Sequence, residues 1–197
     1  MIRKAVSKDL GTIAEMHCRY IPGYLRNIGP KFLEKFYKNF MALPGGVILV
    51  SGEGEEISGY IAGYTPADSL FMSLARESRL SLVFSILFHI LIHPGETGEL
   101  LELARYGARV RMPGVYGELF FIALEPSARK GGAADQLVEE ACKILAEKGA
   151  KKIKVSADKE NRGPNMLLER LGFEPVGEFP FRGRPQNLYV RTAAKDG

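Results

Sequence analysis

The strongest constraint on this chain is one unbroken succession between Val115 and Ser156. Val115 to Leu124 is a run of apolar, β-favouring residues that reads as a fully buried strand. Pro126 and the small residues Gly131, Gly132, Ala133 and Ala134 interrupt it, and Ala133 to Lys148 follows as an amphipathic helix stopped by Gly149. Lys151 to Ser156 then alternates, with Ile153 and Val155 on one side. A strand, a helix and a second strand of these lengths make a parallel β-α-β unit, so the chain must be of the α/β kind.

The flanking segments fit around that unit. Ile2 to Val6 reads as a short strand, and Ser7 is placed to cap a helix reaching about Tyr20, with Leu10, Ile13, Ala14 and His17 on one face. Pro30 suits a first helical turn, and Phe32, Leu33, Phe36, Tyr37 and Phe40 carry a second helix to about Ala42. Val47 to Ser51 and Ile57 to Tyr64 are strand-like, joined by the turn-forming residues 52–56. After the central unit come a helix at about Pro164 to Leu171 and strands at Phe173 to Phe179 and Gln186 to Arg191.

Residues of about 66–113 form a mainly helical insertion before the Val115 strand, broken at His93-Pro94-Gly95. Its Leu80 to Ile92 stretch is the most apolar in the chain, yet its 13 residues fall short of the ~20 that a membrane-spanning helix needs. Ser81, Ser85 and His89 make a narrow polar stripe on it, the pattern of a mostly buried helix in the core or at a homodimer contact. Arg76 and Arg79 just upstream keep contact with a membrane surface as the other reading. With 197 residues, of which 46% are hydrophobic, the chain suits a single domain over 1–197. A net charge of +4, spread along the chain, gives no nucleic-acid patch. Cys18 and Cys142 lack the spacing of a disulfide framework or a zinc site, His89 and His93 lack a third ligand, and no signal-peptide core opens the chain. No metal is expected, and a cytoplasmic location fits.

Glu118 to Ala134 concentrates the chemistry. A strand running into a glycine turn and a helix start is a natural anion site: the first-turn amides have no intrahelical partners, the helix dipole is positive there, and glycine admits a phosphate closely. Arg129, Gly132 and Ala134 match in order the pyrophosphate-loop signature of the GNAT acetyltransferases. Pro126, Leu137, Asn161 and Leu171-Gly172-Phe173 fall at that family's distances. The sequence therefore resembles the GNAT superfamily, most specifically from Val115 to about Phe179.

That resemblance implies a mixed, mostly antiparallel twisted sheet with flanking helices, and an acyl-CoA-dependent N-acyltransferase that moves an acetyl group from acetyl-CoA to a primary amine by direct attack. It implies that main-chain groups around Ile122 and Leu124 hold the pantetheine arm, that amides from Arg129, Lys130, Gly131, Gly132, Ala133 and Ala134 hold the pyrophosphate, and that Asn161 bonds the cofactor near the pantetheine. Tyr20 to Gly29 would face the acceptor, a small-molecule or peptide amine. Glu118 stands where the histone acetyltransferase branch has its catalytic glutamate. By the period of two it shares a face with Phe120, Ile122 and Leu124; alternatively it is a structural carboxylate paired with Arg109 or Arg111. Where the family usually carries a tyrosine as general acid this chain has Leu168, which leaves Tyr189, Tyr116 or water for that role. A module that binds acyl-CoA without turnover is the competing reading.

Overall fold

The computed structural model describes residues 1–66, 70, 73–74 and 81–193. Among these, seven strands form one sheet in the order β1-β2-β3-β4-β5-β7-β6. They are β1 (Ile2–Lys4), β2 (Gly46–Glu53), β3 (Glu56–Tyr64), β4 (Gly117–Leu124), β5 (Lys152–Asp158), β6 (Glu174–Phe181) and β7 (Arg184–Thr192). Every neighbouring pair is antiparallel except β4 with β5, the parallel pair expected from the central unit. The helices are α1 (Leu10–Tyr20), α2 (Tyr24–Ile28), α3 (Pro30–Ala42), α4 (Ser81–Ile92), α5 (Thr97–Arg109), α6 (Ala133–Glu147) and α7 (Arg162–Arg170).

Helices cover both faces of the sheet, which is why its central strands are apolar almost throughout. On one face, Ile13 of α1 and Leu33, Tyr37 and Phe40 of α3 meet Ile48, Val50, Tyr60 and Ala62. On the other, Leu137, Ala141 and Leu145 of α6 and Leu168 of α7 meet Leu49, Ile61, Leu119 and Ile153. Each such side chain contributes about 1.5–3 kcal/mol by leaving water, so the two layers together fix the sheet between them.

Two local expectations are corrected. Ser7 caps nothing. A 3-10 turn occupies Ser7–Asp9 and α1 begins at Leu10, because Asp9 accepts the Val6 N–H at 2.8 Å and a two-pronged bond from Arg3 at 2.6 and 2.9 Å. The apolar α4 is not buried in the chain's own core either: Phe84, Leu87, Phe88, Leu91 and Ile92 are all more than half exposed. Of its polar stripe, His89 turns inward, with its ring set edge-on to Tyr24 at 5.6 Å and bonded to Glu96 at 3.1 Å. Periodicity located the stripe but not which side the protein would cover. Arg76 and Arg79 lie outside the described residues. No described helix is long and apolar enough to cross a membrane.

Strand β4 positions everything that follows. Its register with β3 slips between Ala62 and Gly63, so that Ala62 faces Phe121 while Gly63 faces Leu119, and Phe120 is the extra residue of a β-bulge. Beside β5 it pairs only at Gly117 with Ile153, Glu118 with Lys154 and Leu119 with Val155, although β4 runs on to Leu124 and β5 to Asp158. Past Leu119 the two strands therefore part. They leave a fork: from Phe120 to Leu124 one edge of β4 stays paired with β3, while the edge that faced β5 has no strand beside it.

Candidate active site

The bulge overturns one expectation about Glu118. Leu119 and Ile122 both pack on the α6 side of the sheet, whereas Phe121 and Ala123 pack on the α1 side. Glu118, next to Leu119 and paired with Tyr64 of the α1-side core, faces the α1 side, so it does not share a face with Ile122. One inserted residue reverses a strict alternation, and nothing in the apolar run signals it.

Glu118 is only 2% exposed, and Lys154, its register partner on β5, 1%. Their charges stand 3.4 Å apart, and Lys154 also donates to the Val110 carbonyl at 2.9 Å. Arg109, a partner considered from the sequence, goes instead to Glu102 and to the Pro180 carbonyl. Tyr106, on α5, donates its hydroxyl to Glu118 at 2.7 Å and stands 2.9 Å from the Ser156 hydroxyl. Burial first, and the neighbouring carboxylate next, hold the Tyr106 phenol well above its usual range, so it keeps its proton. Lys154, Tyr106 and Ser156 are the site residues that sequence reasoning missed. Lys154 carried a usable signal, a charge flanked by inward Ile153 and Val155 on a central strand; Tyr106 carried none.

At the far end of the β4 arm the chain makes a 3-10 turn over Pro126–Ala128 and enters α6 through Gly132. Gly132 has φ +74°, in the left-handed region that favours glycine, and a Cβ there would point into open space. No side chain caps α6, so the amides of its first turn, at Ala133 and Ala134, point outward unsatisfied by the helix. Lys130 and Gly131 are exposed on the same turn. Arg129 is anchored by a bond from Nε to the Leu124 carbonyl at 3.3 Å and lies 5.5 Å from the Tyr20 ring centre. Asp135, whose charge would oppose an anion here, is held by Arg170 at 2.6 Å. Tyr20 donates to Glu125, so it belongs to the loop end of the fork, while Tyr24 is buried against His89.

Across the fork, Asn161 precedes α7, and its carbonyl accepts the Asn165 side chain at 2.7 Å. Asn165 in turn accepts from Tyr189 and Asn187, each at 2.8 Å. Tyr189 is 1% exposed and also bonds Glu169 at 3.2 Å, so its hydroxyl is committed to fixing α7 on the sheet. Leu168 packs in the core beneath α6, and Tyr116 is 45% exposed just before β4.

The remaining reactive side chains are structural. His17 bonds Tyr37 at 2.7 Å within a buried cluster completed by Tyr60, and burial lowers the histidine to about 4. Burial raises the Cys142 thiol to about 12. No cluster of metal-ligating side chains occurs among the described residues.

A sheet covered by helices on both faces, with a forked parallel pair and a glycine turn opening a helix beside the fork, defines a class of protein. Residues 13–173 match the acetyltransferase (GNAT) family, so the chain belongs to that family of acetyl-CoA-dependent enzymes. None of the curated proteins matches the sequence. Solved structures share the fold. A putative GNAT acetyltransferase from Desulfovibrio desulfuricans is 14% identical with a TM-score of 0.62, covering 98% of this chain and 99% of that one. The putative acetyltransferase yncA from Salmonella typhimurium, solved with acetyl-CoA, is 14% identical with a TM-score of 0.63, covering 99% and 94%. The ribosomal-protein-S18-alanine N-acetyltransferase from Escherichia coli is 12% identical with a TM-score of 0.60, covering 100% and 96%.

Proposed function

We propose that this protein is an N-acetyltransferase that moves the acetyl group of acetyl-CoA directly onto a primary amine. The observation that carries this reading is the fork. From Phe120 to Leu124 the β5-facing edge of β4 has no strand beside it, and this stretch runs between the glycine turn and a buried carboxylate. An extended amide-bearing arm is satisfied there as an added strand, bonded around Ile122 and Leu124. Its pyrophosphate is held by the amides from Arg129 to Ala134, with the charge of Lys130 nearby. Asn161 borders the same gap and offers its side chain to the arm.

In this reading Glu118 is the base. It takes a proton from the attacking nitrogen, directly or through one water, as the C–N bond forms. Lys154 at 3.4 Å and the Tyr106 hydroxyl at 2.7 Å hold its carboxylate in place. The acceptor approaches from the side of α2, α4 and α5, opposite the α6 layer, and is a small molecule or a peptide amine. A module that binds acyl-CoA without turning it over is the second reading; the apolar Leu168 at the usual position of the acid is what favours it.

Release of the CoA thiol from acetyl-CoA, measured with an alkylamine, an amino sugar, an amino acid and a peptide with a free N-terminus, tests the proposal. Acceptor-dependent release that falls about a hundredfold or more in Glu118→Gln, with acetyl-CoA affinity retained, is the expected result. Binding without release for any of the four supports the non-catalytic module instead.

A further inference from the structure

We propose that Tyr106, delivered by the insertion, is the general acid of this enzyme, returning to the departing thiolate the proton that Glu118 removes from the amine. The proposal rests on the acetyltransferase reading and deepens it. Two hydrogen bonds carry it: the Tyr106 hydroxyl donates to Glu118 on β4 at 2.7 Å and is 2.9 Å from Ser156 on β5. Leu119 with Val155 is the last pair before the strands part, so the hydroxyl bridges both arms at the apex of the fork. An arm whose pyrophosphate sits at residues 129–134 and which runs back along Leu124 to Phe120 ends its thioester at that apex. The phenol is thus a hydroxyl bonded to the base itself at the point where the arm would end.

The alternatives are committed elsewhere. Leu168 has no hydroxyl, Tyr189 is tied to Asn165 and Glu169, and Tyr116 is largely in solvent. The hydroxyl of Tyr106 is also held in place: its ring is set edge-on to Phe179 and Phe181 at 5.8 and 5.3 Å, and α5 is latched to the β6–β7 turn by Arg182 bonding Glu99 and Glu102.

The step balances. The amine nitrogen bonds the acetyl carbon and loses one proton to the Glu118 carboxylate, and the C–S bond breaks with its electron pair going to sulfur. The O–H proton of Tyr106 passes to that sulfur, and the new Glu118 carboxyl reprotonates the phenolate across their hydrogen bond. An amide and a free thiol leave, with both residues restored.

The test uses the full chain, acetyl-CoA and hydroxylamine, a small nucleophile already unprotonated at neutral pH, with thiol release followed in single turnovers over the uncatalysed background. Tyr106→Phe keeps the ring contacts and is expected to bind acetyl-CoA within about twofold of wild type. It should release thiol about a hundredfold more slowly, with the solvent deuterium isotope effect collapsing toward unity. Should Tyr106→Phe fail to fold, 3-fluorotyrosine at position 106 preserves both hydrogen bonds while acidifying the donor, and should alter the release rate without altering affinity. Wild-type release and an unchanged isotope effect in Tyr106→Phe, or an unchanged rate with 3-fluorotyrosine, would overturn the assignment. A wild-type protein that binds no acetyl-CoA would instead overturn the reading on which it rests.

Discussion

At the scale of single residues, the site depends on a few positions where chemistry and conformation coincide. Gly132 combines a left-handed backbone with an opening onto the first-turn amides of α6. Gly132→Glu places a carboxylate at the proposed pyrophosphate site and forces a side chain into a φ it disfavours. Acetyl-CoA affinity should drop by more than a hundredfold, which calorimetry reads directly. His17 yields a prediction about pH. Its folded value of about 4 lies below the ordinary 6.5, so between these the unfolded chain binds the extra proton. The advantage of the neutral ring is complete above about 6.5 and shrinks as pH falls toward 4, which amounts to roughly 2 kcal/mol lost by pH 5. Urea midpoints at pH 7 and pH 5 should reveal this loss in the wild type and not in His17→Gln.

At the scale of elements, α5 is the helix that ties the strands of the fork to the β6–β7 turn. Helix α5 contributes Tyr106 to the fork and is fastened at the β6–β7 turn, where Arg182 has φ +53° and bonds Glu99 at 3.0 Å and Glu102 at 2.8 Å. A part-buried pair of this kind is worth about 1 kcal/mol, so Arg182→Ala should raise the opening rate of α5 roughly fivefold in amide exchange and leave that of α6 unchanged. The strand, turn and helix from Val115 to Lys148 were legible because each signal is local: an apolar run, small residues, a helical period. The bulge at Phe120 was not, since an extra residue in a uniformly apolar strand leaves the pattern intact while exchanging its faces. The bonds of Tyr106 to Glu118 and Ser156 were equally hidden, because they arise when a helix from the insertion folds back on strands that are brought together only in the sheet. The core placement of helix α4 fails for a related reason, while a homodimer contact stays compatible with its exposed face. Twelve residues without a formal charge say that much of the surface is apolar, and not that the rest of the chain covers it.

At the scale of the whole molecule, two helical layers clamp a sheet whose one parallel pair is left open at its centre, and the features argued to bind or react line that opening. The first-turn amides of α6 at one end, the β5-facing edge of β4 along the arm, and Glu118 with Tyr106 and Lys154 at the apex are the path proposed for the cofactor. The most direct test of this arrangement is a calorimetric titration of the wild type and Gly132→Glu with acetyl-CoA, with ATP and NAD titrated alongside. Selective binding of acetyl-CoA, lost in Gly132→Glu, is the outcome the fork predicts. A folded wild-type protein that takes up no acetyl-CoA, or a Gly132→Glu variant that binds it as tightly as the wild type, would contradict it.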